Sequence, residues 1–156
     1  MNIEGYRILF KVGKGAVVDS FTGFGVVLLD MPKNIPLVPK KFSQQWFDEN
    51  GDEDYVPRSI KYEAAKCNFT FEVKDEAFEP DVYDKASKFL AYLQSGVFSF
   101  YSEYAKIGRG NVVFESSDDN AKFSTMESAN GKKLQLLRFT VTFKINDPYT
   151  QVKLSL

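Results

Sequence analysis

The sequence predicts a mainly β (α+β) fold, an antiparallel β-sandwich or partly open barrel with one amphipathic helix and a long proline-rich arm. Three observations predict it. The run Leu137-Arg138-Phe139-Thr140-Val141-Thr142-Phe143-Lys144-Ile145 alternates large apolar with polar residues, the two-residue period of a strand with one buried and one wet face. Residues 80–94 carry a helical period instead. Between residues 30 and 58 stand Pro32, Pro36, Pro39 and Pro57, too many for central strands because each proline withholds a ladder donor.

Taken in order, a first strand is expected over residues 6–12, then a Gly13-Lys14-Gly15 turn and a second apolar run over residues 25–29. Residues 30–58 read as an excursion with short extended pieces, built around the isolated pair Trp46-Phe47 and the acidic turn Asp48-Glu49-Asn50-Gly51-Asp52. Long ordered excursions of this kind are usually functional or cover another surface. Regular structure resumes over residues 60–73, alternating through Ala65, Cys67, Phe69, Phe71 and Val73. Pro80 suits a first helical turn, with Glu79 at the cap and Asp81 adding favourable charge. Val82, Ala86, Phe89, Leu90 and Leu93 then share one helix face, and Gly96 is the expected left-handed terminator. Strands over residues 97–104 and 111–116 are joined by Ala105-Lys106-Ile107-Gly108-Arg109-Gly110, read as a hairpin connection. Asn130-Gly131 predicts a tight type I′ turn between residues 123–126 and the last strand, residues 134–145, which Pro148 ends.

At 156 residues the chain has the size of one domain, residues 1–156, able to bury most of its surface around a single core. Its 15 Phe and 8 Tyr predict an aromatic-rich β core, with some aromatics left outside to meet a partner. A net charge of −1 provides no global field for a polyanion. The local basic residues Lys33, Lys40 and Lys41 are answered by Asp48, Glu49, Asp52, Glu53 and Asp54, so no direct nucleic-acid contact is expected. Cys67, the single cysteine, lies in phase with the inner face of its strand and is read as a small buried hydrophobe. No apolar run approaches the roughly 20 residues that cross a bilayer, and the N-terminus lacks a signal-peptide pattern, so folding in a cytoplasm without a membrane partner is expected.

The chemistry is mostly a record of absences. The chain has no histidine, which removes the commonest general base and metal ligand and every triad built on imidazole. One cysteine cannot build a structural zinc site. Gly13 and Gly15, and again Gly23 and Gly25, evoke phosphate loops, but neither pair is followed by Gly-Lys-Ser/Thr or by a helix, and both read as turns. The five carboxylates of residues 48–54 lack the order of a calcium loop and read as a solvated turn, and Ser116-Ser117-Asp118-Asp119-Asn120 reads as an ordinary connection. The expectation is therefore a non-enzymatic protein with no catalytic residue, no metal and no cofactor.

The order of the remaining features carries a resemblance. Trp46-Phe47-Asp48-Glu49-Asn50-Gly51-Asp52-Glu53, then Tyr55-Val56-Pro57-Arg58-Ser59-Ile60, the strand to Val73, the helix ending Phe89-Leu90-Ala91-Tyr92-Leu93, Tyr101-Ser102-Glu103-Tyr104 and the terminal Phe139 to Tyr149 run together resemble tail proteins of tailed bacteriophages and prophages, particularly those of gut Bacteroidales. The layout, over roughly residues 24–150, is similar to the N-terminal domain of distal tail proteins, ring components that join a tail tube to the baseplate or adsorption device. Such proteins often continue past the Asp-Pro-Tyr region into a second, lectin-like domain, whereas this chain ends at Leu156, so the expectation is the ring-forming half.

The resemblance implies a virion structural protein of the tail, assembled in the bacterial host cytoplasm as a homo-oligomeric ring, a hexamer, in contact with other tail or baseplate proteins. A closing ring needs two different surfaces on each subunit, and an extended arm can supply one by joining a neighbour. Residues 30–58 are the candidate arm, with Trp46, Phe47 and Tyr55 as aromatic anchors of the subunit interface. A neck, tail-terminator or tail-tube component is the alternative within the same class. From other classes, a carbohydrate-binding module would stack sugars on Trp46 and exposed tyrosines, and a small carboxylate enzyme would need two acids with separated pKa values in one pocket.

Overall fold

The computed structural model describes residues 7–55, 57–74, 82–118, 122–127 and 133–156. Among the described residues strand dominates, with two helices. The strands β1 (Leu9–Val12), β2 (Val18–Asp19), β3 (Val26–Asp30), β6 (Ala65–Lys74), β7 (Phe98–Ser102), β8 (Ile107–Ser117) and β10 (Lys133–Ile145) form one curled antiparallel sheet in the order β2-β1-β7-β8-β10-β6-β3, a half-barrel. A further strand, β9 (Lys122–Glu127), pairs with the first half of β10 on the same edge that β8 takes over further along. The remaining two strands, β4 (Phe42–Gln45) and β5 (Asp52–Tyr55), pair only with each other and form a separate ribbon. The expected β fold, with a partly open barrel and an arm, is the one observed.

β10 is the spine, and its sequence period explains why. Leu137, Phe139, Val141, Phe143 and Ile145 are all buried. On the opposite face β10 and β6 form a polar ladder. Arg138 pairs with Glu72 at 3.0 Å, the Thr140 and Thr70 hydroxyls meet at 3.3 Å, and Thr142 donates to Asn68 Oδ1 at 2.8 Å. These are directly opposed pairs in the β10 and β6 register, each contributing a few tenths to about 1 kcal/mol. β6 buries Ala65, Cys67, Phe69, Phe71 and Val73, as its alternation predicts, and burial pushes the Cys67 thiol pKa up.

The second helix, α2 (Val82–Leu93), closes the hollow of the half-barrel. Its apolar stripe Val82, Ala86, Phe89 and Leu93 is buried, with Leu90 packed at the margin. Phe89 carries the helix into the aromatic core. Its ring lies 5.6 Å from Phe10, 5.6 Å from Phe24, 5.0 Å from Phe71 and 6.4 Å from Phe139, and edge-on pairs of this kind add about 0.5–1.5 kcal/mol beyond their burial. Phe10, Phe69, Phe71, Phe89, Phe98, Phe100, Phe139 and Phe143 all belong to one buried cluster, so the core takes eight of the 15 Phe.

Three local expectations are corrected. Gly96 does not end α2 in a left-handed conformation; positive φ among the described glycines is confined to Gly13, Gly25 and Gly51. Ser95 ends it instead, with both its N–H and its hydroxyl donating to Tyr92 O. The β7 to β8 turn is residues 103–106, with Lys106 itself at φ 56°, so Ile107 to Gly110 is strand. Between β2 and β3 lies a short helix, α1 (Ser20–Phe24), which the sequence reading treats only as a glycine-bounded turn. Asp19 caps it by accepting from Phe21 N–H at 2.9 Å, and Gly25 ends it at φ 69°. The Glu79-Pro80-Asp81 cap and the Asn130-Gly131 turn lie outside the described residues, although the β9 and β10 hairpin they predict is present in its ladder.

Residues 151–156 cross the outside of the sheet as a strap. Arg109 and Gln151 form a bridge, Val152 N–H donates to Gly108 O at 3.1 Å, and Leu154 is buried with Leu9 and Tyr101 in a small second cluster. The turn before the strap is built by Asp147, whose Oδ1 accepts from the N–H groups of Tyr149 and Thr150 at 3.2 Å each. Arg109 Nε donates to Pro148 O at 2.7 Å. The Thr150 hydroxyl and amide, then the Tyr149 amide and the Arg109 guanidinium, hold the Asp147 carboxyl below the usual carboxylate range.

A depressed carboxyl pKa stabilises the fold at pH values above the unfolded-state pKa, and the benefit disappears as pH falls through the folded-state value. Below about pH 4, the ordinary carboxylate range, the Asp147 turn is expected to loosen, freeing the strap before the half-barrel unfolds. Limited proteolysis with an acid-active protease checks this: strap cleavage should rise with falling pH in wild type. In Asp147→Ala, digested at pH 7 with a protease active at neutral pH, strap cleavage should already be raised above wild type.

Candidate functional site

The arm is positioned by the two strands that flank it. It leaves the sheet after Asp30 at the end of β3 and returns at Ala65, where β6 begins. Ile35 is buried in the core and fixes the outgoing chain. Pro39 and Tyr62 then form a bridge, with Lys40 N–H donating to Lys61 O at 2.7 Å and Glu63 N–H to Val38 O at 2.7 Å. Beyond this the ribbon continues as β4 and β5, from the Phe42 and Tyr55 pair out to Gln45 and Asp52. Proline at a sheet interior would lose a ladder bond; at this two-stranded bridge Pro39 loses none that matters.

Residues 46–51 make the tip, where Glu49 N–H donates to Trp46 O at 3.3 Å and Gly51 takes φ 78°. Phe47 is fully exposed at 110%, and Trp46 is 46% exposed. The structure therefore brings two of the three candidate anchors together. Tyr55 sits on β5 opposite Phe42, at the far end of the four-pair ladder, about 10 Å along the ribbon from the tip at the usual rise per residue. Tyr55 is separated from the tip because a hairpin pairs its first strand residue with its last.

Charge is segregated along the arm. Residues 42–57 carry five acids and no base, whereas residues 38–41 and 58–61 carry four bases and no acid. Leu37, Val38 and Ile60 at this basic base are 44%, 51% and 46% exposed. The sequence reading missed them as a group because they lie more than twenty residues apart and meet only through the Pro39 and Tyr62 bridge. A second tie holds the base to the body: Tyr62 stacks on Tyr149, centroids 5.4 Å apart and planes 19° apart.

Elsewhere, among the described residues, the surface includes two shallow grooves. One of about 500 Å³ runs between the end of α2 and β8, with Val97 and Phe114 in its wall and Glu115 at its rim. The other, about 330 Å³, lies over Phe21, Phe24, Lys85 and Lys88. Among the described residues no group of three or more His, Cys, Asp or Glu is disposed to hold a metal ion, and no helix is long and apolar enough to cross a membrane. No protein-family model and no curated protein matches this chain.

Proposed function

We propose that the chain is a non-enzymatic structural subunit of a phage tail, forming a ring that joins the tail tube to the distal adsorption apparatus. The observation that carries the reading is Phe47, a large apolar side chain fully exposed at the end of a ribbon that joins no strand of the main sheet. Holding such a side chain in water is unfavourable by about 1.5–3 kcal/mol relative to burial, and exposed aromatics of this kind mark contacts with a partner. Support also comes from the order of features shared with distal tail proteins, and from an arm that gives each subunit a projecting surface unlike the rest of its body, as a closing ring requires.

Light scattering over a concentration series, with negative-stain imaging of the same sample, tests this. Wild type is expected to form closed rings, and the variant Phe47→Ser, changed at a fully exposed position, to remain monomeric with an unchanged thermal midpoint. A wild-type monomer at every concentration overturns the reading and makes a glycan screen the next experiment.

A further inference from the structure

We infer that the surface receiving the arm tip is the arm base of a second copy of this chain, where Leu37, Val38 and Ile60 meet Phe47 while Lys40, Lys41 and Lys61 meet the tip carboxylates. The inference deepens the ring reading above and rests on it. Tip and base are complementary in two independent respects. The tip offers exposed aromatic surface and acids; the base offers exposed aliphatic surface and bases. Lys40 and Lys61 are also neighbours across the ribbon, since Pro39 and Tyr62 are paired. Like charges held side by side across strands are destabilising until an anion joins them.

The arm cannot satisfy itself. From Pro39 to Trp46 the ribbon spans seven residues, on the order of 20 Å at the usual strand rise, and its cross-strand bonds keep the tip away from its own base. The groove beside α2 is a poorer acceptor, because its lining carries no base and its one acid, Glu115, is already paired with Lys66 at 2.7 Å. The groove over Phe21 and Phe24 offers Lys85 and Lys88, but Lys88 is already paired with Asp84 at 3.0 Å. The base combines the four bases of residues 38–41 and 58–61 with three exposed aliphatic side chains, Leu37, Val38 and Ile60, against one neighbouring acid, Glu63.

The test is a charge exchange on the full chain. A tip variant carries Asp48→Lys, Glu49→Lys and Asp52→Lys. A base variant carries Lys40→Glu, Lys41→Glu and Lys61→Glu, and a third chain carries all six. All six positions are exposed, so circular dichroism and thermal midpoints should match wild type. The expected result is that each triple variant loses self-association at least tenfold, that an equimolar mixture of the two recovers it, and that the six-fold variant recovers it alone. Wild-type association should also weaken with added salt, as interactions between exposed charges do. If wild type assembles but the six-fold variant does not, the acceptor is elsewhere and the inference falls while the ring reading stands. If the exchange restores only a dimer, as wild type also forms, the acceptor is right and the ring reading falls. If wild type never self-associates, both fall.

Discussion

Phe89→Ala is expected to lower stability by about 3–5 kcal/mol, the usual cost of deleting a buried aromatic ring. Phe89 is wholly buried and is the one helix side chain that touches rings from β1, α1, β6 and β10 together, through Phe10, Phe24, Phe71 and Phe139. Truncation leaves a cavity that the curled sheet cannot close, because β10 is held by ladders on both sides, to β6 on one and to β9 and β8 on the other. Against a typical margin of about 5–15 kcal/mol, this removes a large share of the stability. Urea unfolding checks it: the midpoint should fall with an unchanged slope. Ser87→Ala, on the exposed side of the same helix, should stay within about 0.5 kcal/mol. Equal effects from the two would mean that α2 does not fill the half-barrel as described.

Gly108→Ala is the second large effect, and it acts on the strap. A Cβ at this position would lie 1.9 Å from Val152 O, 2.7 Å from Tyr101 Cδ2 and 2.9 Å from Phe100 O. The first contact is with backbone and cannot be relieved by a rotamer change, so the strap has to lift. Lifting it exposes Val152 and Leu154, at about 1.5–3 kcal/mol for each side chain returned to water if fully buried before. A loss of roughly 2–4 kcal/mol is expected, with new proteolytic cleavage within residues 147–156. The substitution should cost much less in a chain truncated after Thr150, since its main conflict is then gone, and such non-additivity is the mark of residues in contact. An equal cost with and without the strap would assign the effect to Tyr101 and Phe100 instead.

The parts of the fold that could be read from the sequence are those where one pattern decides one element. β10 and β6 alternate without error over their buried positions, and α2 repeats its apolar residues at helical spacing, so both faces were assigned correctly. The arm was legible from its prolines, which exclude a central strand. What was hidden depends on contacts between distant residues. Gly108 looks like a turn glycine and is one that clears space for a strap more than forty residues later. The turn itself uses Lys106 at φ 56°, a conformation uncommon for any non-glycine residue. β2 and α1 have two and five residues, too few to show a period, although Asp19 and Gly25 are the cap residues that bound such a helix. The strap had a signal in the alternation of Val152, Leu154 and Leu156, shorter than the runs that identify a strand.

For the candidate site, Trp46 and Phe47 were visible as an aromatic pair isolated among acids. The acidic turn beside them, with Asn50-Gly51, was visible as well, but the hairpin that sets both at its tip follows from the pairing of Phe42 with Tyr55. The same pairing removes Tyr55 from the tip. The basic base was seen in sequence only as charge to be balanced by the acids of residues 48–54. In the folded arm the five acids of residues 42–57 lie along the ribbon and at its tip and the four bases at its foot, which gives the segment two unlike ends.

If the arm tip lies against a second copy of the chain, a photo-activated cross-linker placed at residue 47 of the full chain captures that contact. Irradiation followed by denaturing electrophoresis is expected to give a ladder of covalent oligomers ending at the ring size, lost on dilution below the assembly range. Material that stays at the monomer mass after irradiation, under conditions where light scattering detects assembly, would contradict it.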